Sequence, residues 1–251
     1  MIRSSDILLN VRLCYYGVAI SHLVFAVIMI IPIDMSQDED PRVSIYSRVR
    51  WKLITCWFNL MMLTYFPIAF YCDLKEKHGE WDTKRLRRLR KFRDYFMTSI
   101  IFPTTMYADI SFWTLWMKDP ELIAPMAVFK YLPYWAQHSL HTVSGIVVLM
   151  DILLLPRRRP TNMIPGLALM LAFCSVYGCV LAVSQFTGEP VYSLFELFGW
   201  LEVIMFVAIT ITVYMFFHFL QWYIVELIWG KTYEENNKNT TEKKNLIDKA
   251  K

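Results

Sequence analysis

Residues 164–186 read IPGLALMLAFCSVYGCVLAVSQF, twenty-three positions without one Asp, Glu, Lys or Arg. A helix rises about 1.5 Å per residue and a bilayer's hydrocarbon core is about 30 Å thick, so this run has the length and character of a membrane-crossing helix. Working outward from it, five more stretches qualify, at 13–33, 53–72, 95–117, 134–155 and 197–222. Their ends are marked by residues that a helix interior avoids, namely Pro32, Pro41, Pro120, Pro133, Pro156, Pro160 and Pro190. Pro67 and Pro103 fall inside expected spans, where neighbouring helices can satisfy the carbonyls they free. The reading is therefore an all-α polytopic transmembrane helix bundle of about six spans over residues 1–230. A polar tail rich in Asn, Lys and Glu, 231–251, follows and is expected to be disordered.

Composition points the same way. Of the 251 residues 56% are hydrophobic and only 19% charged, against about 25% charged in soluble chains, which speaks against a soluble one-domain enzyme. Cys14, Cys56, Cys72, Cys174 and Cys179 are scattered through apolar runs with no CxxC pair. They read as free packing thiols rather than a disulfide scaffold or a thiolate zinc site. Twenty of the 26 Lys and Arg fall on one side of the six expected spans, so the positive-inside rule puts both termini in the cytoplasm. Nine of the basic residues lie between Lys75 and Arg93, flanked by spans, where anionic lipid headgroups are the expected partner rather than nucleic acid. Leu86, Leu89 and Phe92, spaced by three, suggest a short interfacial helix with an apolar edge. No obligate protein partner is evident.

The informative residues are those a bilayer penalises: His22 in the first span, Thr55 and Asn59 in the second, Asp109 in the third, His138, His141 and Asp151 in the fourth, Glu202 and His218 in the sixth. His138 and His141 are three apart, and Thr55 and Asn59 four apart, so each pair is expected on one helical face. Thr55, Asn59, Asp109, His138 and His141 all fall in the non-cytoplasmic half of their spans and can share one cavity. A hydroxyl becomes a nucleophile when a base takes its proton, and histidine is the usual base, so Thr55 and a histidine form a candidate catalytic pair. The same residues also suit interhelical packing in a scaffold or transporter. Haem or metal ligation by His22, His138, His141 and His218 is a further alternative.

Several stretches resemble a known family. They are Trp51-Lys52-Leu53-Ile54-Thr55-Cys56-Trp57-Phe58-Asn59-Leu60, Arg93-Asp94-Tyr95 leading to Phe102-Pro103, and Phe112-Trp113. Pro133-Tyr134-Trp135-Ala136-Gln137-His138-Ser139-Leu140-His141-Thr142 and Phe186-Thr187-Gly188-Glu189-Pro190-Val191-Tyr192 complete the set. Together they resemble the androgen-induced protein and androgen-dependent TFPI-regulating protein family. The resemblance implies a multipass membrane threonine hydrolase acting on fatty acid esters of hydroxy fatty acids, in an endomembrane such as the endoplasmic reticulum or in the plasma membrane. It implies Thr55 as nucleophile and His141, the second of the His-x-x-His pair, as base, with no cofactor and a lipid ester entering from the bilayer. On this mechanism Asn59 and His138 are candidate oxyanion donors. Two positions depart from the family pattern, Gln137 in place of Asn and Asp109 in place of an apolar residue. The second can supply a carboxylate that orients His141.

Overall fold

The computed structural model describes residues 6–80 and 82–249, with side chains described as far as Lys231. No strand occurs among them. The helices are α1 (Asp6–Ile30), α2 (Pro41–Val49), α3 (Ile54–Lys77), α4 (Lys84–Phe96), α5 (Phe102–Lys118), α6 (Val128–Tyr131), α7 (Tyr134–His138), α8 (Ser144–Leu154), α9 (Ile164–Phe186) and α10 (Trp200–Lys249). Two π turns, Met97–Ile101 and Ser139–Val143, join α4 to α5 and α7 to α8 in continuous helical runs.

Five helical segments are long and apolar enough to cross a membrane: Asp6–Ile30, Pro41–Lys77, Tyr134–Leu154, Ile164–Phe186 and Trp200–Lys231. Large apolar side chains such as Val18, Phe25, Ile28, Val176, Val183, Ile204 and Ile209 stand exposed on α1, α9 and α10. A patch of that size on a water-soluble chain would drive aggregation, and in a bilayer it faces the acyl chains. The sixth expected span, 95–117, is helical throughout but is not among the five. Its place in the bundle explains why. It packs against α3, α8, α9 and α10, and Met97, Ile101, Phe102, Thr104 and Thr105 are at most 1% exposed. A helix walled in by other helices meets little lipid, so its composition can include the hydroxyls and carboxylate that a lipid-facing helix avoids.

Pro103 accounts for the first π turn. Its ring has no N–H to give, and the helix widens just before it, with the Phe102 N–H reaching back to the Met97 carbonyl. The Thr98 carbonyl, left without its usual intrahelical donor, accepts from His218 Nδ1 at 3.1 Å and from the Gln221 amide. His218, singled out as an intramembrane polar residue, thus serves as a cap for a broken helical ladder. Gly188 closes α9 with φ +74°, the left-handed conformation of a helix C-cap, and turns the chain into the Glu189-Pro190 loop.

Opposite the end of the bundle where the α1–α2, α5–α6 and α9–α10 loops meet, a buried ion network ties the helices together. Arg12 Nε lies 2.7 Å from Asp73, Arg93 reaches Asp73 at 3.5 Å and Asp94 at 2.9 Å, and Arg157 pairs with Asp151 and, at 3.6 Å, with Asp94. The hydroxyls of Tyr16 and Tyr65 donate to Asp151 at 3.1 and 2.9 Å. Asp151, an expected intramembrane carboxylate, is thereby fully compensated.

Three expectations are corrected here. α1 begins at Asp6, because Arg12 is 1% exposed inside the bundle and does not mark a membrane boundary. Arg90 and Arg93, counted among the cations meant for lipid headgroups, are buried against the bundle because Asp73 and Asp94 draw the second of them in. The polar tail from 231 carries helical backbone to Lys249, continuous with α10; Lys and Glu extend a helix readily once a preceding segment has nucleated it.

Candidate active site

Thr55 stands in the first turn of α3. The chain arrives through a single 3-10 turn, Arg50–Lys52, and Leu53 takes an extended conformation as N-cap, so α3 starts afresh at Ile54. The first N–H groups of a helix have no intrahelical acceptor. That of Ile54 donates to the Tyr192 hydroxyl at 3.0 Å, while that of Thr55 has no hydrogen-bond partner among the described residues.

His141 occupies the second π turn, one residue beyond the end of α7 plus two. Widened turns of this kind are rare and recur at functional sites. Here the widening separates the two histidines expected on one face. His138 stacks with Trp113 at a ring-centroid distance of 4.8 Å and pairs through Nδ1 with the Thr142 hydroxyl at 3.0 Å. His141 turns inward, 6% exposed, lying flat on Phe112 with ring centroids 3.6 Å apart and planes within 2°. Its backbone carbonyl accepts from Trp113 Nε1 at 3.0 Å.

The ring of His141 bridges two side chains. Nε2 is 3.5 Å from Thr55 Oγ1, and Nδ1 is 3.4 Å from Asp109 Oδ1. The second contact is a close approach without hydrogen-bond geometry, and neither Nδ1 nor Oδ1 has a hydrogen-bond partner among the described residues. The Asp109 carboxylate is placed to accept a hydrogen bond from Nδ1–H, which leaves the Nε2 lone pair for the threonine hydroxyl. Asp109 is held in turn by Ser144, whose hydroxyl lies 2.7 Å from Oδ2 and 2.8 Å from the Leu140 carbonyl. Gly145 gives the carboxylate room, since a Cβ there would sit 3.1 Å from Oδ2. Gly145→Ala is expected to leave helix content unchanged while lowering any turnover that uses His141 as a base about tenfold, because a few tenths of an ångström at Asp109 carries through to the imidazole it touches. Circular dichroism and initial rates on the same sample check it.

The five residues picked from the sequence therefore separate into two groups. Thr55, His141 and Asp109 form one continuous line. Asn59 and His138 do not join it: the Asn59 amide donates back along its own helix to the Thr55 carbonyl at 2.9 Å, and His138 is taken by Thr142. The four histidines weighed as haem or metal ligands are each engaged with a different protein group, His22 with Ser139, His138 with Thr142, His141 with Asp109 and His218 with Thr98. Phe112, Ser144, Gly145 and the free Thr55 N–H were not apparent from spacing. Phe112 and Trp113 carried a signal only as a quoted motif, and the last depends on where α3 begins.

Thr55 and His141 open into an apolar cavity of about 850 Å³ bounded by α5, α9 and α10. Among the described residues His141 is the only titratable nitrogen on its wall, and none of the lining residues is Lys, Arg, Asp or Glu. Leu122, Ile123, Phe129, Leu194 and Phe195 close it from the loop end. Those loops are pinned by an Asp38–Tyr131 hydrogen bond of 2.8 Å and an Arg48–Glu189 ion pair of 2.8 Å. The Asp40 N–H and the Tyr131 hydroxyl keep Asp38 below the usual carboxylate range, so this pin is present at neutral pH and weakens as pH falls through the lowered value. Thr55 also borders a smaller apolar cavity of about 120 Å³ on the side of α1.

The model of the FAR-17a/AIG1-like protein family matches residues 15–224. Among characterised chains, human androgen-dependent TFPI-regulating protein is 30% identical over 148 residues, 58% of this chain and 63% of that one. Its mouse counterpart is 31% identical over 159 residues, 62% and 67% of the two chains. Human androgen-induced gene 1 protein is 26% identical over 193 residues, 74% and 81% respectively. The match to the human TFPI-regulating protein thus spans a little under two thirds of that relative's length. No solved structure matches.

Proposed function

Because this chain belongs to the FAR-17a/AIG1-like family, we propose that it is a membrane-embedded hydrolase cleaving the ester bond of fatty acid esters of hydroxy fatty acids, with Thr55 as nucleophile and His141 as base. The observation that carries the proposal is the line Thr55 Oγ1, His141 Nε2, His141 Nδ1, Asp109 Oδ1, laid at the mouth of a cavity large and apolar enough for a long acyl chain. The two separations, 3.5 and 3.4 Å, are longer than proton transfer needs, and on this reading both close when substrate is bound.

The chemistry is acyl transfer in two halves. His141 Nε2 takes the Thr55 hydroxyl proton as Oγ1 bonds to the ester carbonyl carbon. The tetrahedral intermediate collapses, the carbon–oxygen bond to the hydroxy fatty acid breaks, and that oxygen leaves with the proton from His141. Water then loses a proton to His141 and attacks the acyl-threonine, the fatty acid departs, and Thr55 recovers its proton. Asp109 keeps His141 in the tautomer that the first step needs and offsets the charge it acquires. The Thr55 N–H, at the positive end of α3 and free of other bonds, supports the negative charge on the carbonyl oxygen. No cofactor enters these steps. The outward cations of α4, Lys84, Arg85, Arg88 and Lys91, suit anionic headgroups at the membrane surface.

A fluorophosphonate probe tests the nucleophile directly. In membranes with equal amounts of protein, wild type is expected to be labelled and Thr55→Ala to be silent, with Thr55→Ser restoring the label. A folded wild type that takes no label would end the hydrolase reading.

A further inference from the structure

Thr55 sits on the partition between two cavities, and Tyr46, Leu53, Leu132 and Leu140 border both with it. The two differ in one chemical respect. The larger has hydrocarbon, aromatic and hydroxyl walls without a permanent charge, whereas the smaller includes one cation among its lining residues, Arg50. Arg50 is fixed in place: Nη1 donates to the Ile33 carbonyl at 2.7 Å, Nη2 to the Ile31 carbonyl at 3.2 Å, and the guanidinium lies 5.2 Å from the centre of the Trp51 ring.

Arg50 has no counter-ion among the described residues. Its neighbours on α2 do: Arg42 pairs with Asp40 and Glu121, and Arg48 with Glu189. Asp34, the acid whose charge Arg50 feels, is exposed and accepts instead from the Ser36 N–H. Arg50 Nε is buried and has no hydrogen-bond partner. A guanidinium held by two carbonyls, with a donor left over beside the wall of an apolar cavity, is suited to a planar anion that arrives with the ligand.

The molecule proposed for this site brings one. A fatty acid ester of a hydroxy fatty acid joins an acyl arm to a hydroxy-acid arm, and the carbon that carries the ester divides the second into an alkyl tail and a segment that ends in a free carboxylate. Resting on the hydrolase reading above, we infer that Arg50 binds that carboxylate and so fixes which arm occupies which cavity. The hydroxy-acid arm runs from Thr55 toward Arg50 on the α1 side, and the acyl arm extends into the 850 Å³ cavity between α5, α9 and α10. The first product released is the hydroxy acid, from the smaller cavity.

The test uses the full chain in phosphatidylcholine vesicles and two substrates with identical arms, a palmitoyl ester of hydroxystearic acid with its carboxylate free and the same compound as its methyl ester. The ratio of kcat/KM for acid over methyl ester is compared between wild type, Arg50→Gln and Arg50→Lys, so that differences in partitioning cancel. Wild type is expected to favour the acid, Arg50→Gln to shrink the ratio about 10- to 100-fold, and Arg50→Lys to keep much of it, since a charge-assisted hydrogen bond is at stake. A merely structural role for Arg50 would lower both rates and leave the ratio alone. A wild-type ratio near one, which needs no variant, overturns the inference, as does an unchanged ratio in Arg50→Gln. In those cases continued hydrolysis of both esters leaves the threonine mechanism standing. Hydrolysis of neither ester by folded wild type brings down both.

Discussion

His141→Ala is expected to lower ester hydrolysis about 10⁴-fold or more, and Asp109→Asn about 10³- to 10⁴-fold, in membranes matched for folded protein. The first loss follows from removing the imidazole that, among the described residues, stands within reach of Thr55 Oγ1 and serves as base on the proposed mechanism. The second is more instructive, because Asp109 touches neither the hydroxyl nor the ester and acts through the ring it orients. An amide in its place can donate to His141 Nδ1, which moves the histidine's proton to Nε2, where it faces the threonine and blocks it. The effect should fall on kcat, with KM little changed, and should ease at high pH as hydroxide takes over part of the base's work. A purely structural defect would lower the folded fraction and leave the pH profile of the remainder as it was. Asp109→Asn with full activity would remove the carboxylate from the mechanism.

Asp73→Ala is expected to be the most destabilising single change away from the site. It leaves Arg12, 1% exposed, and Arg93, 2% exposed, without the carboxylate that both reach. Breaking one partner out of a buried ion pair costs about 3–5 kcal/mol, because the remaining charge stays desolvated. The measurement is the unfolding midpoint in a single detergent, with Arg12→Met and Asp73→Leu made singly and together. The double variant should regain part of what each single change loses, since two apolar side chains replace the pair, while Arg93 keeps Asp94 and Glu76 loses its contact with Arg12. Additive losses would mean that the two residues matter for separate reasons.

Much of this architecture can be read from the sequence, and the reason differs from element to element. The apolar run 164–186 coincides with α9 end to end, because hydrocarbon length and the Thr187-Gly188 stop are both written locally. The span at 53–72 matches the start of α3, yet the helix continues to Lys77, since Asp73 and Glu76 face arginines rather than water. No local signal announces that pairing, as its partners lie on other helices. Thr55 and His141 were legible as polar residues at matching depth and as parts of two motifs. Asp109 stood out as a charge where hydrocarbon was expected, and its meaning depended on facing His141. The separation of His138 from His141 lay beyond a reading by helical period, because the period itself changes between them.

That change of period has one more effect. The helical run Tyr134–Leu154 carries His141 near one end and Asp151 near the other, and each must point at a partner on a different helix. In an unbroken α-helix every residue advances the direction of the side chain by about 100°, so the phase between two positions is fixed by their count. The π turn at Ser139–Val143 inserts a phase shift between the His141 end and the ionic end. It works as a coupling that lets one rod bring His141 to Asp109 and Asp151 to Arg157, two sockets set at unrelated angles. A chain shorter by one residue there would still span the bilayer, but it could aim only one of the two side chains.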